Sequence, residues 1–182
     1  MQSVYHTMNQ EFTKLVLLGY MGSGKSTVAA ALGRKLGVPA MDLDDHIVEK
    51  EGLSINEIFK SKGEIHFRLL ESICLQQLLS SEKSFVLALG GGTPCYANNM
   101  DHIAASQASS IYLRGSLDTL CERLRGEKSH RPLISSLDDV QLSDFIAKHL
   151  FERRDFYERA DHIVSIDGRS VEAIVAAILK KI

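Results

Sequence analysis

The sequence contains no apolar run approaching the roughly 18–20 residues that cross a bilayer, which argues against a membrane-spanning helix. It has few cysteines, three in all, widely spaced and without a Cys-x-x-Cys pair. A disulfide framework or a zinc knuckle is therefore not expected. The start of the chain lacks the basic and apolar segments of a secretory signal peptide. Together these absences predict a protein of the reducing cytoplasm.

Neither sign of charge predominates in the chain. Lys and Arg number 21 and Asp and Glu number 23, giving a net charge of −2. No overall basic field would attract nucleic acid or an anionic membrane, so neither is expected as a partner. Of the 182 residues, 45% are hydrophobic and 24% charged, which is typical of a globular protein. We predict one domain spanning residues 1–182, because a chain of this length supports one core.

Short apolar runs alternate with longer segments of helical composition. The runs predicted as strands are residues 14–18, 40–43, 84–89, 109–113 and 162–166. The segments predicted as helices are residues 26–36, 44–51, a run opened by a Ser54–Glu57 capping box and broken at Gly63, and residues 64–79, 117–125 and 171–181. Apolar strands that alternate with helices are typical of an α/β fold, in which helices cover both faces of a parallel sheet.

One stretch, residues 126–141, has no clear periodicity and carries Lys, His, Arg, Pro and several Ser. It is flanked by segments of helical composition. We therefore interpret it as a mobile excursion from the core, suited to act as a lid, and not as a second domain.

Residues 19–26, GYMGSGKS, match the G-x-x-x-x-G-K-[ST] pattern of a phosphate-binding loop. Glycines let the backbone curl so that its N–H groups point at phosphate oxygens, and the helix predicted after the loop adds its positive N-terminal end. Lys25 would place a charge on the β- and γ-phosphates, and Ser26 would offer a hydroxyl to Mg²⁺. Because the loop also lies between a predicted strand and a predicted helix, the sequence indicates a nucleotide-binding protein.

The kind of nucleotide-binding protein is indicated by the end of the predicted strand at residues 84–89. GTPases and motor ATPases would need an acidic residue for Mg²⁺ there, whereas this strand ends in Gly90, Gly91 and Gly92. The chain is also too small for switch loops and an effector surface. A small-metabolite kinase, with one loop for ATP, a pocket for the acceptor and a lid that excludes water, fits better.

Five motifs occur in an order that resembles the shikimate kinase family. They are the phosphate loop, Asp42-x-Asp44, Phe67-Arg68 with Glu71, Gly90-Gly91-Gly92, and Arg131-Pro132-Leu133. The last four are weak individually, but the series is specific and covers the chain from about Lys14 to the C-terminus. The resemblance implies a P-loop NTPase-like, three-layer α/β/α fold with a five-stranded parallel sheet and a mobile lid.

Asp42 and Asp44 follow the second predicted strand, at the sheet edge where ligands bind in parallel α/β proteins. Two residues apart on a regular strand, they would project to the same side. The resemblance implies that Asp42, with Ser26, helps hold Mg²⁺ and its water shell, and that Asp44 binds the acceptor hydroxyl and acts as the base. Without the resemblance, Asp44 would be interpreted as an acidic residue at a helix N-terminus.

Two arginines are candidates for the carboxylate of the acceptor. Arg68 has Glu64 four residues before it and Glu71 three residues after it, a spacing typical of surface ion pairs on a helix. The resemblance instead implies that Arg68 forks onto the carboxylate of shikimate while Glu71 fixes the guanidinium. It assigns Arg153 as a second carboxylate-binding arginine, although Arg154 is displaced by only one position.

The resemblance also assigns the remaining site residues. Gly90, Gly91 and Gly92 would lie against the acceptor, and Arg131 in the lid would stabilise charge on the transferred phosphoryl group. The residues assigned to ATP are Gly22, Ser23, Gly24, Lys25, Ser26, Thr27, Arg131 and Arg169, and those assigned to catalysis are Asp44, Lys25 and Arg131. An arginine stacked on adenine could be either Arg123 or Arg125.

The resemblance implies ATP-dependent phosphorylation of the 3-hydroxyl of shikimate by a monomer, with Mg²⁺ as cofactor and ATP and shikimate as partners. One alternative is a kinase for another small hydroxy acid such as gluconate, which would not require the arginine and glycine motifs. The other is a nucleotide-binding module without turnover, which would have no use for Asp44 as a base.

Overall fold

A parallel sheet of five strands lies at the centre of the computed structural model, which describes residues 13–127 and 133–182. The strands are β1 (Lys14–Leu18), β2 (Ala40–Asp42), β3 (Phe85–Ala88), β4 (Ser109–Arg114) and β5 (His162–Ser165). Their order across the sheet is β2-β3-β1-β4-β5, and every neighbouring pair is parallel. The predicted five-stranded parallel sheet is confirmed.

Helices connect the strands and cover both faces of the sheet. They are α1 (Lys25–Leu36), α2 (Leu43–Glu51), α3 (Ile55–Ser80), α4 (Asn99–Ala104), α5 (Leu117–Arg125), α6 (Asp139–Tyr157) and α7 (Val171–Leu179), with a short 3₁₀ turn at Thr93–Cys95. The predicted break in α3 is confirmed, because Gly63 has non-helical backbone angles (φ 82°, ψ 170°). No helix in the described ranges is long and apolar enough to cross a membrane.

The alternation of side chains along β1 divides the core into two layers. Val16 and Leu18 pack into a cluster with residues of α2, α3, α5 and α6, whereas Leu15 and Leu17 pack with residues of α1 and α7. Strands buried on both faces have no polar side to alternate with, which is why their sequences are continuously apolar. The three-layer α/β/α arrangement implied by the resemblance is confirmed.

Two helices were not identified from the sequence, α4 and α6. Helix α6 begins with a capping box, in which the Asp138 carboxylate accepts from the Gln141 N–H (2.8 Å) and the Gln141 side chain accepts from the Asp138 N–H (2.9 Å). The irregular stretch predicted over residues 126–141 therefore ends earlier than expected, because α6 begins at Asp139. Arg131 and Pro132 lie outside the described residues.

Helix α1 and strand β2 approach each other most closely at Gly33. A Cβ atom at this position would lie 2.8 Å from the carbonyl oxygen of Val38 and 3.0 Å from the Cβ of Ala40. The close approach fixes the start of β2 against α1, and thereby helps place Asp42 beside the N-terminus of α1.

We predict that Gly33→Ala destabilises the protein by roughly 1–2 kcal/mol, measured by denaturant unfolding. Alanine in a helix interior is normally favoured over glycine by up to about 1 kcal/mol, but overpacking against backbone costs more than this gain. Gly126→Ala is the control, since Gly126 has an ordinary φ of −71° and its Cβ would come no closer than 3.6 Å to another atom. A stabilised Gly33→Ala variant would show that α1 and β2 separate without cost.

Candidate active site

The phosphate loop between β1 and α1 has a backbone that requires glycine. Gly19, Gly22 and Gly24 all have positive φ angles, of 144°, 77° and 87°. A Cβ at Gly19 would also lie 2.7 Å from the carbonyl oxygen of Leu113 in β4. Among the residues that the structure describes, no side chain caps α1 at Gly24, which leaves the N-terminal end of that helix suited to an anion.

Lys25 is buried within the loop. Its Nζ donates to the carbonyl oxygens of Gly19 (2.8 Å) and Tyr20 (2.9 Å). The loop and Lys25 line a cavity of ≈ 450 Å³ at the carboxyl end of the sheet. The residues predicted for nucleotide and metal that line this cavity are Gly22, Ser23, Gly24, Lys25, Ser26, Thr27, Asp42 and Arg169. A larger cavity of ≈ 650 Å³, around Lys14, contains none of these residues.

The structure separates the two arginines that the sequence could not distinguish. Nη1 of Arg123 points at the phosphate loop, 3.3 Å from the carbonyl oxygen of Gly22 and 3.4 Å from that of Ser23. Arg125 lies on the surface and pairs with Asp139 at 3.2 Å. Arg123 is therefore the arginine beside the nucleotide cavity.

Asp42 and Asp44 do not share a strand, so that part of the prediction is wrong. Strand β2 ends at Asp42, which becomes the N-cap of α2 because its carboxylate accepts from the Asp44 N–H at 3.0 Å. Asp44 lies in the first turn of α2. Both residues nevertheless line the same cavity.

Ser26 and Asp42 form a set of oxygen ligands at the cavity edge. Ser26 Oγ donates to Asp42 Oδ2 at 2.6 Å, and the side chains belong to α1 and β2. Hydroxyl and carboxylate oxygens fit Mg²⁺, which keeps several waters and is usually bound through one or two protein groups together with substrate phosphates. In the described part of the chain, no group of three or more His, Cys, Asp or Glu could hold a metal ion.

The carboxyl group of Asp44 lies in an environment that disfavours its charge. Burial, together with the carboxylates of Asp42 and Glu71, raises its pKa to about 6, against the lowering effect of Lys25 and Arg68. A carboxyl group with this pKa is close to the range in which a base can accept a proton near neutral pH.

Arg68 contacts both Glu64 and Glu71, the two carboxylates that its position in the sequence suggested. Its Nη2 lies 3.3 Å from the exposed carboxylate of Glu64, and its Nη1 donates at 2.6 Å to Glu71, which is only 1% exposed. The guanidinium carbon is 4.4 Å from the ring centroid of Tyr96. The buried Nε atom of Arg68 has no hydrogen-bond partner in residues 13–127 and 133–182.

The glycines after β3 lie where these side chains converge. A Cβ at Gly90 would lie 3.1 Å from both Asp44 Oδ1 and Glu71 Oε1, and one at Gly92 would lie 3.2 Å from both terminal nitrogens of Arg68. Since none of the three glycines has a positive φ angle, the backbone conformation does not demand glycine. At Gly90 and Gly92 a side chain would crowd Thr93, Asp44, Glu71 or Arg68, a cause that the sequence interpretation did not include.

Arg153 also faces this glycine segment. Its Nη1 would lie 3.6 Å from a Cβ at Gly91, and its guanidinium carbon is 5.6 Å from the ring centroid of Tyr20. Arg154 instead pairs on the surface with Glu158 at 2.9 Å. Of the two adjacent arginines, Arg153 is the one near the glycine segment and the phosphate loop.

Sequence reasoning missed three side chains that hold the site together. Tyr157 donates to the carbonyl oxygen of Gly91 at 2.5 Å, and Thr93 donates to Glu71 at 2.5 Å. The Tyr20 hydroxyl is 3.1 Å from Nδ1 of His149 and links the phosphate loop to α6. Only Tyr157 had a local signal, one helical turn after Arg153. The other partners are distant in sequence.

The comparisons with known proteins agree on one family. The family model for shikimate kinase matches residues 21–182. The chain belongs to the shikimate kinase family. It is 48% identical to a shikimate kinase of Flavobacterium johnsoniae over 91% of this chain and 96% of that protein.

Solved structures give the same result. A crystal structure of shikimate kinase from Bacteroides thetaiotaomicron has a TM-score of 0.85 and 35% identity, covering 92% of this chain and 97% of that one. Shikimate kinase from Acinetobacter baumannii, solved in complex with shikimate, has a TM-score of 0.82 and 29% identity, covering 93% and 92%. A gluconokinase from Sinorhizobium meliloti, 17% identical with a TM-score of 0.54, shares the fold alone.

We predict that Asp44→Asn stabilises the ligand-free protein at pH 7. Because the folded-state pKa of about 6 lies above that of the unfolded chain, ionised Asp44 disfavours the fold at neutral pH by roughly 2–3 kcal/mol. The gain should shrink as the pH falls through 6 and vanish below about pH 4, where both forms are neutral.

Denaturant unfolding at pH 7 and pH 4 measures this effect. Asp45→Asn is the matched control, because Asp45 is exposed in the same helical turn. Loss of its favourable interaction with the helix dipole should destabilise the protein by less than about 1 kcal/mol. An Asp44→Asn variant that is equally stable or less stable than the parent at pH 7 would contradict the prediction.

Proposed function

We propose that the protein transfers the γ-phosphoryl group of ATP to the 3-hydroxyl of shikimate, giving shikimate 3-phosphate and ADP. One observation carries the proposal: a carboxylate and two guanidinium groups converge on Gly90–Gly92 beside the phosphate loop. Gly91 lies between the phosphate loop and Arg153. A Cβ at this position would be 3.4 Å from the Met21 nitrogen of the loop and 3.6 Å from Nη1 of Arg153. An anionic acceptor held there lies next to the end of a bound triphosphate.

On the nucleotide side, the phosphate loop and the N-terminus of α1 bind the phosphates through N–H groups. Lys25 and Arg123 add positive charge at the same cavity. Ser26 and Asp42 would hold Mg²⁺, which when bound neutralises charge on the phosphate oxygens. We assign Arg131 to the charge of the transferred phosphoryl group and Arg169 to the nucleotide.

On the acceptor side, Asp44 accepts a hydrogen bond from the acceptor hydroxyl, orients it toward the γ-phosphorus and takes its proton as the new bond forms. Arg68 and Arg153 bind the acceptor carboxylate, because a guanidinium donates two parallel hydrogen bonds to a planar anion. The fork of Arg68 is held by Glu71 and the ring of Tyr96 before any ligand enters. Positioning of this kind accounts for much of the catalysis in phosphoryl transfer.

The proposal also covers the oligomeric state of the protein, its location and the segment that closes over the substrates. We propose that the protein works as a monomer with a single domain over residues 1–182. ATP as co-substrate favours the cytoplasm. Residues between α5 and α6 would close over the two substrates and exclude water.

Acceptor choice separates this function from its alternatives. We expect ADP release from MgATP with shikimate and slower release with gluconate or quinate. Gluconate is an open chain that cannot place its hydroxyls as a ring does, and should be at least about 100-fold slower; quinate, which adds a hydroxyl to a saturated ring of different shape, should be rejected less strongly. A coupled assay of ADP measures the three rates. Faster release with gluconate would identify another hydroxy-acid kinase, and release with none of the acids, in protein that binds ATP, would identify a binding module.

We predict that Arg68→Lys raises the KM for shikimate about 10-fold or more and changes the KM for ATP by less than about twofold. An ammonium group cannot form the two-pronged contact with a carboxylate and loses the bidentate pairing energy. Arg154→Lys, at the exposed neighbour of Arg153, is the control and should leave both constants unchanged. Equal losses of both affinities in Arg68→Lys would make Arg68 a structural residue.

A further inference from the structure

We infer that Thr93 is a positioning residue for acceptor binding, which fixes the Glu71 carboxylate and, through it, the fork of Arg68. The inference rests on the proposed function, since the fork is the group assigned to the acceptor carboxylate. Thr93 is the residue that follows the three glycines and opens the 3₁₀ turn Thr93–Cys95. It touches no reacting group itself.

The two oxygens of Glu71 have different partners. Oε2 accepts from Nη1 of Arg68 at 2.6 Å, and Oε1 accepts from Oγ1 of Thr93 at 2.5 Å. Glu71 is 1% exposed and Thr93 is 0% exposed, so water cannot readily take the place of the threonine hydroxyl. Without that hydroxyl, a buried anionic oxygen would lack its donor, and the carboxylate would turn to recover one.

Thr93 is itself held in place from two sides. Its N–H donates to the carbonyl oxygen of Gly90 at 3.1 Å, and its own carbonyl accepts from Nδ2 of the buried Asn99 at 2.8 Å. Asn99 follows two consecutive residues, Ala97 and Asn98, that have positive φ angles of 50° and 55°. Such angles are unfavourable for residues other than glycine. The strained turn brings Asn99 beneath Thr93.

Because Glu71 is held in one orientation, the guanidinium of Arg68, which faces the acceptor, is held as well. Arg68 lies so close to Gly92 that a Cβ there would be 3.2 Å from both of its terminal nitrogens. A guanidinium in this confined position presents its fork in one direction only while Glu71 stays fixed. Thr93 therefore lowers the conformational cost of binding a carboxylate, an effect on acceptor affinity that leaves the nucleotide cavity untouched.

The test compares Thr93→Val, which keeps the size and removes the hydroxyl, with Thr93→Ser, which restores a hydroxyl. Thr93→Val should raise the KM for shikimate about tenfold or more, as expected for loss of a hydrogen bond to a charged group. The KM for ATP should change by less than about twofold. Thr93→Ser should return the KM for shikimate to within about threefold of the parent value.

The matched control is Ser110→Ala. Ser110 is also a buried residue whose hydroxyl donates to a carboxylate, that of Asp161 at 2.7 Å, but it lies on β4 outside the site. This variant should lose stability without a change in either KM. If Thr93→Val does not fold, Thr93→Cys, of similar size with only a weak S–H donor, replaces it in the same comparison.

An unchanged KM for shikimate in Thr93→Val, an equal rise in both KM values, or a failure of Thr93→Ser to restore binding would overturn the inference. Absence of shikimate turnover in the parent protein would overturn the proposed function instead. In that case a double-mutant unfolding cycle of Thr93→Val and Glu71→Gln still tests the link: non-additive effects support it and additive effects refute it.

Discussion

The site depends on a buried anion, the carboxylate of Glu71. Arg68 and Thr93 donate hydrogen bonds to it, and the glycines after β3, which have no side chain, leave room for it. A buried carboxylate is costly unless it is paired and hydrogen-bonded, and Arg68 and Thr93 meet that requirement. Space for the arrangement exists because Gly90 and Gly92 have no Cβ. The ion pair thus accounts for glycine at these two positions, and it holds the guanidinium of Arg68 in place.

The ligand-free site holds charges that do not balance locally. Burial raises the pKa of Asp44, and the nearby carboxylates of Asp42 and Glu71 raise it further. The Nζ of Lys25 donates to two carbonyl oxygens of its own loop. Substrates therefore complete the electrostatics of this pocket, which is arranged for charges that the protein alone does not supply.

Much of the fold and several site residues could be predicted from the sequence because their signals are local. Strands β1 and β3 are buried on both faces and consist of apolar residues almost throughout, and the phosphate loop needs glycines at fixed offsets. Helix α6 was missed because few of its residues are buried, among them Leu142 and Ile146, while Phe151 is exposed. The sequence offered Asp44 both as a helix N-terminal residue and as a strand neighbour of Asp42, and the N-cap hydrogen bond at Asp42 decides for the helix.

Other contacts could not be predicted, because they join residues far apart along the chain. Thr93 meets a carboxylate 22 positions away, and Tyr157 meets a carbonyl 66 positions away. Neither side chain belongs to a periodic pattern. The choice between Arg123 and Arg125, and between Arg153 and Arg154, likewise depends on which way a helix face turns, because helix positions one or two residues apart face different directions.

The shortness of the two outer strands has a consequence for solubility. Strand β2 has three residues and β5 has four, and among residues 13–127 and 133–182 each has a neighbouring strand on one side only. Pro39, just before β2, has no N–H to offer an incoming chain, and α2 begins immediately after Asp42. Another molecule would find only a few backbone groups to pair with at either edge. The sheet is thereby protected against growing from one molecule into the next.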